Sequence, residues 1–190
     1  MTMVNELAAL ARQAIAEPKA ASAEVLRLGV PNDVIWPALG LIIVMSVIIN
    51  SIAEFLSPNP MESVPPFTLV FFVAGVFIGF SLAIWKIGRL MGGQGTLQDA
   101  FLLTAFLQGI VLVAQIIQLL LLILMPMVAG LFSLVVTVLG VWLNVNFIGS
   151  LHGFDSLGRS FAVFFLASLA VAVLIVILAS MAGITIGGAI

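Results

Sequence analysis

The chain has 190 residues, of which 63% are hydrophobic and 7% are charged, and its formal net charge is -2. Soluble domains contain about 25% charged residues, so this chain has too few charges to cover a water-facing surface. The composition therefore excludes a soluble protein, a disordered chain and, without a basic surface, a nucleic-acid binder. It predicts an integral membrane protein without disulfides or thiolate metal sites, since Cys is absent.

Residues 1–33 are predicted to be a cytoplasmic or interfacial segment that precedes the membrane domain. Apolar residues recur on one helical face of residues 4–15, opposite polar residues such as Arg12. This pattern is typical of an amphipathic helix that lies on a membrane surface. Pro18 interrupts the helix, and a second short helix is predicted over 21–28. A weakly ordered leader is the alternative interpretation, and no cleavable signal peptide is predicted.

Residues 34–190 are predicted to form one membrane domain. Five segments have about 20 or more mostly apolar residues, which is enough to cross a bilayer as helices. They are residues 36–55, 67–91, 100–124, 128–149 and 160–182. Because each segment is apolar on every face, the alternating strands of an outer-membrane barrel are excluded. The sequence predicts an all-α polytopic membrane protein with a five-helix transmembrane bundle.

Proline residues mark three of the boundaries between these segments. Pro37 is predicted in the first turn of span one, where a missing N–H costs little. Pro58 and Pro60 indicate a loop after span one, because they prevent a continuous helix. Pro126 divides the long uncharged stretch into spans three and four.

Glycines and capping residues mark the remaining boundaries. Gly92 is predicted to end span two in the left-handed conformation. Thr96 and Asp99 have the spacing of a capping box that begins span three. Asp155 is predicted to cap the beginning of span five.

The basic residues predict the orientation, because Lys and Arg are retained on the cytoplasmic side. Five spans with the N-terminus inside and the C-terminus outside place every Lys and Arg on one side of the membrane. These residues are Arg12, Lys19, Arg27, Lys86, Arg89 and Arg159.

Small residues at four-residue spacing predict close helix contacts. Gly75, Gly79 and Ala83 form such a row in span two, and rows of this kind allow backbones to approach one another. Packing within one bundle is the first interpretation, and the seam of a homodimer is the alternative.

Two stretches of the chain resemble the Yip family of membrane proteins, which is named for interaction with Ypt/Rab GTPases. One is Gly88-Arg89-Leu90-Met91-Gly92-Gly93-Gln94-Gly95-Thr96. The other begins after Asn146, with Leu151-His152-Gly153-Phe154-Asp155-Ser156-Leu157-Gly158-Arg159. The resemblance covers about residues 18–182 and is to the bacterial branch. It implies five spans and a cytoplasmic N-terminus.

The resemblance does not extend to Rab binding. Eukaryotic members act in vesicle traffic between endoplasmic reticulum and Golgi, and carry an Asp-Leu-Tyr-Gly-Pro-type segment before the first span. This chain has Val30-Pro31-Asn32-Asp33 there and no Tyr anywhere.

The loop between spans two and three is a candidate site for an anionic lipid headgroup. Lys86 and Arg89 precede it, and Gly93, Gly95 and Thr96 lie in it. Free backbone N–H groups at a helix N-terminus favour anions, although the loop lacks the nucleotide P-loop pattern. Orientation of the helix and snorkelling are the alternative roles of the two cations.

The loop between spans four and five is a candidate docking surface for a partner. Asp155 and Arg159 are four residues apart and are expected to pair on the helix surface. They are also expected to meet Asp99 and Arg89 on the cytoplasmic face. His152 is the chain's one histidine, and a lone His predicts neither a metal site nor a nucleophile pair.

Polar residues within the spans have two interpretations each. Glu54 is near the outer end of span one, so we expect an interfacial carboxylate, with a proton or ion site as the alternative. Gln108 and Gln115 share one face of span three, and Thr137 and Asn144 share one face of span four. Interhelical hydrogen bonds are the expected solution for these four groups, and a hydrated cavity is the alternative.

Taken together, the sequence predicts a non-enzymatic membrane protein without catalytic residues, metal or cofactor, and the resemblance implies a bacterial inner membrane. It is expected to organise lipid or protein partners through its cytoplasmic loops, and to form an oligomer. The alternative function is a small transporter or channel that uses the polar faces of spans three and four.

Overall fold

The computed structural model describes residues 3–56 and 65–181, with the side chains at positions 3, 4, 7 and 8 left out. Every regular element within these residues is a helix. The helices are α1 (Met3–Ala16), α2 (Pro18–Arg27), α3 (Asn32–Phe55), α4 (Pro66–Leu90), α5 (Leu97–Leu124), α6 (Pro126–His152) and α7 (Leu157–Met181). Helices α3 to α7 are each long and apolar enough to cross a membrane. The predicted all-α, five-span membrane protein is confirmed.

The spans begin a few residues before the predicted positions, and two predicted boundary roles are wrong, those of Pro37 and Asp155. Helix α7 begins at Leu157, and no hydrogen bond to the Asp155 carboxylate is found among the described residues. Helix α3 begins at Asn32, because the extended Pro31 leaves its carbonyl free to accept from the N–H groups of Val34 and Ile35. Pro37 consequently lies inside α3 instead of in its first turn. Pro126 does begin α6 as predicted. The predicted loop at residues 58–60 and the end of span five at residue 182 lie outside the described residues.

The two N-terminal helices pack on the membrane bundle. Helix α2 contacts α5 and α6, and its buried face contains Ala21, Ser22 and Val25. Helix α1 packs on α2 and buries Ala14. Both predicted short helices are therefore present, but a large part of the apolar face of α2 contacts the protein. Contact of α1 with a membrane surface stays a prediction, and the side chains at 4, 7 and 8 lie outside the described part.

Helices α4 and α7 approach each other closely at the predicted row of small residues. A Cβ atom added to Gly79 would lie 2.5 Å from a methyl carbon of Leu174, and one added to Gly75 would lie 3.2 Å from Leu178. The row thus serves packing within one bundle at these two positions, as the first interpretation expects.

The packed core lies in one half of the bundle. Its largest fully buried apolar side chains include Leu103, Phe147, Ile148 and Val163, near the beginnings of α5 and α7 and the end of α6. In the other half, α5 and α6 expose apolar residues such as Leu120 and Leu131. Helices that are apolar all round suit a lipid environment. The well-packed half is the one beside the α4–α5 and α6–α7 loops, so it holds both loops in fixed positions.

Candidate functional site

Three connections meet at one end of the bundle, which we call the basic end. They are residues 28–31, 91–96 and 153–156. The side-chain amide of Gln98 donates to the carbonyl of Val30 at 3.1 Å. The backbone N–H of Gln94 donates to the carbonyl of His152 at 3.3 Å. Arg27, Lys86, Arg89 and Arg159 lie in the helix turns beside these loops, and Arg12 and Lys19 lie in α1 and α2. The placement of all six on one side of the membrane stays a prediction.

Glycines in the left-handed conformation end α4 and α6, the helices that precede the α4–α5 and α6–α7 loops. Gly92 has a φ of +88° after α4, and Gly153 has a φ of +67° after α6. The N–H of Gly93 returns to the carbonyl of Gly88 at 2.8 Å, and that of Phe154 to Gly149 at 2.9 Å. The end of α4 thus has the Schellman pattern, and the end of α6 has its longer bond. The predicted role of Gly92 is confirmed, and each loop turns sharply back toward the bundle.

His152 joins the two loops. Its side chain is buried, with 2% of the residue exposed. The N–H of Gly95 donates to Nδ1 at 3.3 Å, and Nε2 lies 3.0 Å from the carbonyl of Ile84 in α4. Since Nδ1 accepts, the proton of the neutral ring belongs on Nε2, which donates to Ile84. The ring also stacks on Phe154 at a centroid distance of 5.4 Å. One neutral imidazole therefore bonds α4, the α4–α5 loop and α6 together.

Glycines form the walls around this ring. A Cβ atom on Gly88 would overlap the imidazole, and one on Gly93 would lie 2.5 Å from Cβ and Nδ1 of His152. At Gly95 it would lie 2.7 Å from the backbone carbonyl oxygen of Leu151. The glycines at 88, 93 and 95 are therefore required by contact with the end of α6.

The role of His152 was not predicted from the sequence, because a single histidine carries no metal or nucleophile pattern. The available signal was the density of glycine at 88, 92, 93 and 95. Such a cluster indicates close approach of another part of the chain. Nothing local identified which residue approaches, since Gly95 and His152 are 57 positions apart.

The glycine loop does not present free N–H groups as the lipid-phosphate interpretation requires. The N–H groups of Gly92 and Gly93 bond to Arg89 and Gly88. Those of Gln94 and Gly95 bond to the carbonyl and ring of His152. In this conformation the backbone N–H groups of residues 92–95 are therefore not available to bind an anion. A lipid headgroup would have to contact side chains at this end.

Half of the predicted capping box at the beginning of α5 is present: Thr96 caps the helix, whereas the Asp99 carboxylate accepts from the Thr96 hydroxyl and not from a backbone N–H. The N–H of Asp99 donates to the hydroxyl oxygen of Thr96 at 3.1 Å, and that hydroxyl donates to the Asp99 carboxylate at 2.6 Å. The carboxylate also places a negative charge at the positive end of the helix. The cap satisfies one backbone N–H and fixes where the α4–α5 loop ends.

Replacing Thr96 with Ala is expected to lower the free energy of unfolding by about 1 kcal/mol, because an N-cap bond is lost. Thr137→Ala is the matched control, since the Thr137 hydroxyl bonds only to the carbonyl of Ser133 in its own helix. Thermal unfolding in detergent measures both. Equal stability of the two variants would contradict a role for the cap.

Lys86, Arg89 and Arg159 are exposed and have no carboxylate partner within the described residues. The ion pair found there is Arg27 with Glu24 at 3.2 Å, so the expected pairing of Asp155 with Arg159 is wrong. Arg159 lies instead over the ring of Phe154, at 5.4 Å, where the ring face attracts a cation. In the same way Lys86 lies over Trp85, at 5.8 Å.

These cations lie near the two loops that His152 joins. Arg89 adjoins Gly88, which contacts the imidazole. Arg159 reaches the ring through Phe154, on which the imidazole stacks. Asp155 is exposed in the α6–α7 loop, whereas Asp99 is occupied by the cap. Of the predicted docking residues, the structure thus brings Arg89 and Arg159 to the same buried group.

Glu54 belongs to the last turn of α3, away from the three connections of the basic end, and it is half-buried. On the same face, the Asn50 amide donates to the carbonyl of Ser46 at 2.8 Å. Nothing in these contacts distinguishes an interfacial carboxylate from an ion site, so both interpretations stay predictions.

The polar residues of α5 and α6 mostly bond to their own helices. Thr137 bonds to Ser133 at 2.8 Å, and the Asn144 amide bonds to Gly140 at 2.8 Å. The expectation of interhelical hydrogen bonds is therefore wrong at these two positions.

The glutamines of α5 differ from one another. Gln118 donates to the carbonyl of Ala129 in α6 at 3.0 Å, which is an interhelical bond. The amide oxygen of Gln115 is buried without a partner within the described residues, and Gln108 is half-buried. A small cleft toward the basic end, whose polar lining residues are Thr104 and Asn144, has room for about one water molecule and includes none of these glutamines.

The comparisons with known proteins identify the family. A family model described as the Yip1 domain matches residues 12–181. Neither the curated proteins nor the solved structures give a match. The matched residues include α2 to α7 and both loops that meet at His152. Since the model spans most of the chain, this integral membrane protein belongs to the Yip1 domain family.

Proposed function

We propose that this protein is a non-enzymatic organiser of membrane partners, which it binds through the basic end. The observation that carries the proposal is the joining of the α4–α5 and α6–α7 loops by the buried ring of His152. Two loops that are far apart in sequence thereby form one fixed surface. Positioned surface loops on a rigid scaffold are common sites of binding.

The charges of this surface support an anionic partner. Lys86, Arg89 and Arg159 are exposed, and no carboxylate lies within ion-pair distance of them among the described residues. Guanidinium and ammonium groups bind phosphate and carboxylate strongly when these approach them. The partner chemistry that fits is an anionic headgroup of a membrane lipid or an acidic segment of a membrane or cytoplasmic protein.

We further propose that the protein resides in a bacterial inner membrane with its basic end in the cytoplasm. The positive-inside rule supports this orientation, which places the N-terminus inside and the C-terminus outside. A reporter enzyme active only outside the cytoplasm tests it when fused after the last residue. A reporter that is silent there, but active when fused before α1, would overturn the orientation.

The experiment that tests the function is a pull-down of the tagged protein in native nanodiscs, with mass spectrometry of co-purifying proteins and lipids. Arg89→Gln with Arg159→Gln is expected to reduce recovery of the partner about tenfold or more. The reason is that hydrogen bonds to charged groups contribute about 1.5–3 kcal/mol. Arg27→Gln is the matched control, because Arg27 is already paired with Glu24.

The outcomes separate the candidate functions. Partner recovery that depends on Arg89 and Arg159, but not on Arg27, supports the organiser. Recovery of the protein as an oligomer with one enriched solute, unaffected by all three substitutions, would contradict it and favour a transporter. The intrahelical bonds of Thr137 and Asn144 do not favour that alternative, which stays a prediction.

A further inference from the structure

We propose that His152 is a proton-sensitive latch, which holds the α4–α5 loop on the end of α6 when neutral and releases it when protonated. The latch itself follows from contacts within the chain. That the latch regulates partner binding at the basic end rests on the proposed function.

The hydrogen bonds of the closed loop require the neutral ring. Nδ1 accepts from the N–H of Gly95, while Nε2 faces the carbonyl of Ile84. A second proton would have to occupy Nδ1, where it would point at the N–H of Gly95. Two donors would then face each other inside a buried site, and one buried N–H would lose its acceptor.

The residues around the ring offer no space for a small shift. The imidazole contacts Gly88 of α4 and Gly93 of the loop where side chains would otherwise be. Phe154 covers another side of the ring. The protonated ring therefore cannot rotate toward a new acceptor while the loop stays closed, and the relief is separation of the loop from α6.

The charges around the ring also oppose a second proton. On α4, the exposed Arg89 follows Gly88, which contacts the ring, so a positive imidazole would have a like charge nearby. From the α6–α7 loop and α7, Arg159 approaches through Phe154, and Asp155 is exposed to solvent. No carboxylate bonds to the ring among the described residues, so protonation has no local compensation.

The other charged groups at this end make no contact with the ring. Asp33 of α3 is exposed, and Lys86 of α4 lies over Trp85. Asp99 of α5 bonds to the Thr96 hydroxyl. On α2, which packs on α6, Glu24 pairs with Arg27 and Lys19 is exposed. None of these groups provides a carboxylate that would stabilise a buried imidazolium.

Opening the latch would expose backbone N–H groups at the basic end. The N–H groups of Gln94 and Gly95, which the closed loop bonds to His152, would become free. They lie in the loop that follows Arg89. Free backbone N–H groups beside a guanidinium favour anions, so the acidic form gains an anion-binding loop that the neutral form withholds.

The expected size of the pH effect on loop opening follows from the linkage between opening and protonation. An exposed imidazole has a pKa of about 6.5. While the loop is closed, the ring of His152 has no place for a second proton. Between pH 7.5 and pH 5.5, opening should therefore become about tenfold more favourable. The amides of Gln94 and Gly95 should lose protection from hydrogen exchange by about tenfold, after correction for the intrinsic rate at each pH.

The test uses the full-length protein in nanodiscs without any partner. Because the chain has one histidine, ¹⁵N-histidine labelling gives a single set of ring signals. These should report the Nε2–H tautomer at pH 7.5 and the imidazolium as the pH falls. Hydrogen exchange of residues 92–95 is followed over the same range. The amide of Asp99, bonded to Thr96, is the internal control that should not change.

His152→Asn is the matched variant, because its side-chain oxygen occupies the place of Nδ1 as an acceptor but does not titrate. Protection of Gly95 in this variant should be equal at both pH values. The latch is overturned if the wild-type ring is protonated while the amides of Gln94 and Gly95 stay protected, or if these amides lose protection over the same range in His152→Asn. Loss of protection in the wild type alone supports it, whether or not a partner is ever found.

Discussion

Gly88→Ala is expected to lower the free energy of unfolding by about 2–3 kcal/mol, although it adds one methyl group to a helix that usually prefers Ala. The new Cβ atom would overlap the imidazole of His152, which is fixed by bonds to Ile84 and Gly95. Overpacking of a filled site costs about 1–3 kcal/mol, and displacement of the ring adds the loss of its hydrogen bonds. Thermal unfolding in detergent measures the change.

Gly140→Ala is the control for Gly88→Ala. A Cβ atom on Gly140, in the middle of α6, meets no atom within 4 Å. This variant should be neutral or slightly more stable, since Ala favours a helix over Gly.

A double variant separates the clash from any general effect of Ala in α4. In a His152→Ala background, Gly88→Ala should cost little, because the ring that it meets is gone. The coupling energy should then be of the order of 1–3 kcal/mol, as for residues in contact. Additive costs would contradict the contact between Gly88 and the ring.

Hydropathy predicted the spans because a bilayer imposes its thickness on each helix independently. Single boundaries were less certain, since they depend on competing local signals. Pro37 suited a first turn, but the extended Pro31 is the N-cap of α3, so the helix begins at Asn32 and Pro37 lies inside it. The glycine and capping residues at 92, 96 and 99 were predictable because their bonds are local.

The joining of the two loops was not predictable in this way. The bonds of His152 span 57 and 68 positions, and no periodicity connects residues so distant. The resemblance to a family brought both stretches together as motifs without indicating that they touch. Charge spacing alone suggested the pair of Asp155 with Arg159, whereas the structure places the guanidinium over Phe154.

Polar groups within the spans show a general reason for such errors. Thr104, Thr137 and Asn144 could in principle bond across helices. Each bonds instead to the carbonyl four residues before it, because that acceptor is always in reach on a helix. A polar face in a membrane sequence therefore indicates a partner between helices only where the side chain extends far enough, as Gln118 does toward Ala129.

His152→Leu should be the most damaging change of a single polar side chain in the chain's described part, at about 2–4 kcal/mol. The variant keeps an apolar side chain of similar size in the site. It leaves the N–H of Gly95 buried without an acceptor, which costs about 1–3 kcal/mol, and loses the bond to Ile84, worth about 0.5–1.5 kcal/mol.

Two substitutions divide this cost between the two bonds. His152→Asn restores an acceptor for Gly95, and His152→Gln restores a donor that reaches toward Ile84. Because an unsatisfied buried donor costs more than a lost bond to a carbonyl that has a second acceptor site, Asn should recover more stability than Gln. Unfolding in detergent at pH 7.5 gives the order wild type, Asn, Gln, Leu. If Leu matched the wild type, the imidazole would be a space-filling group, and the two loops would owe their contact to packing alone.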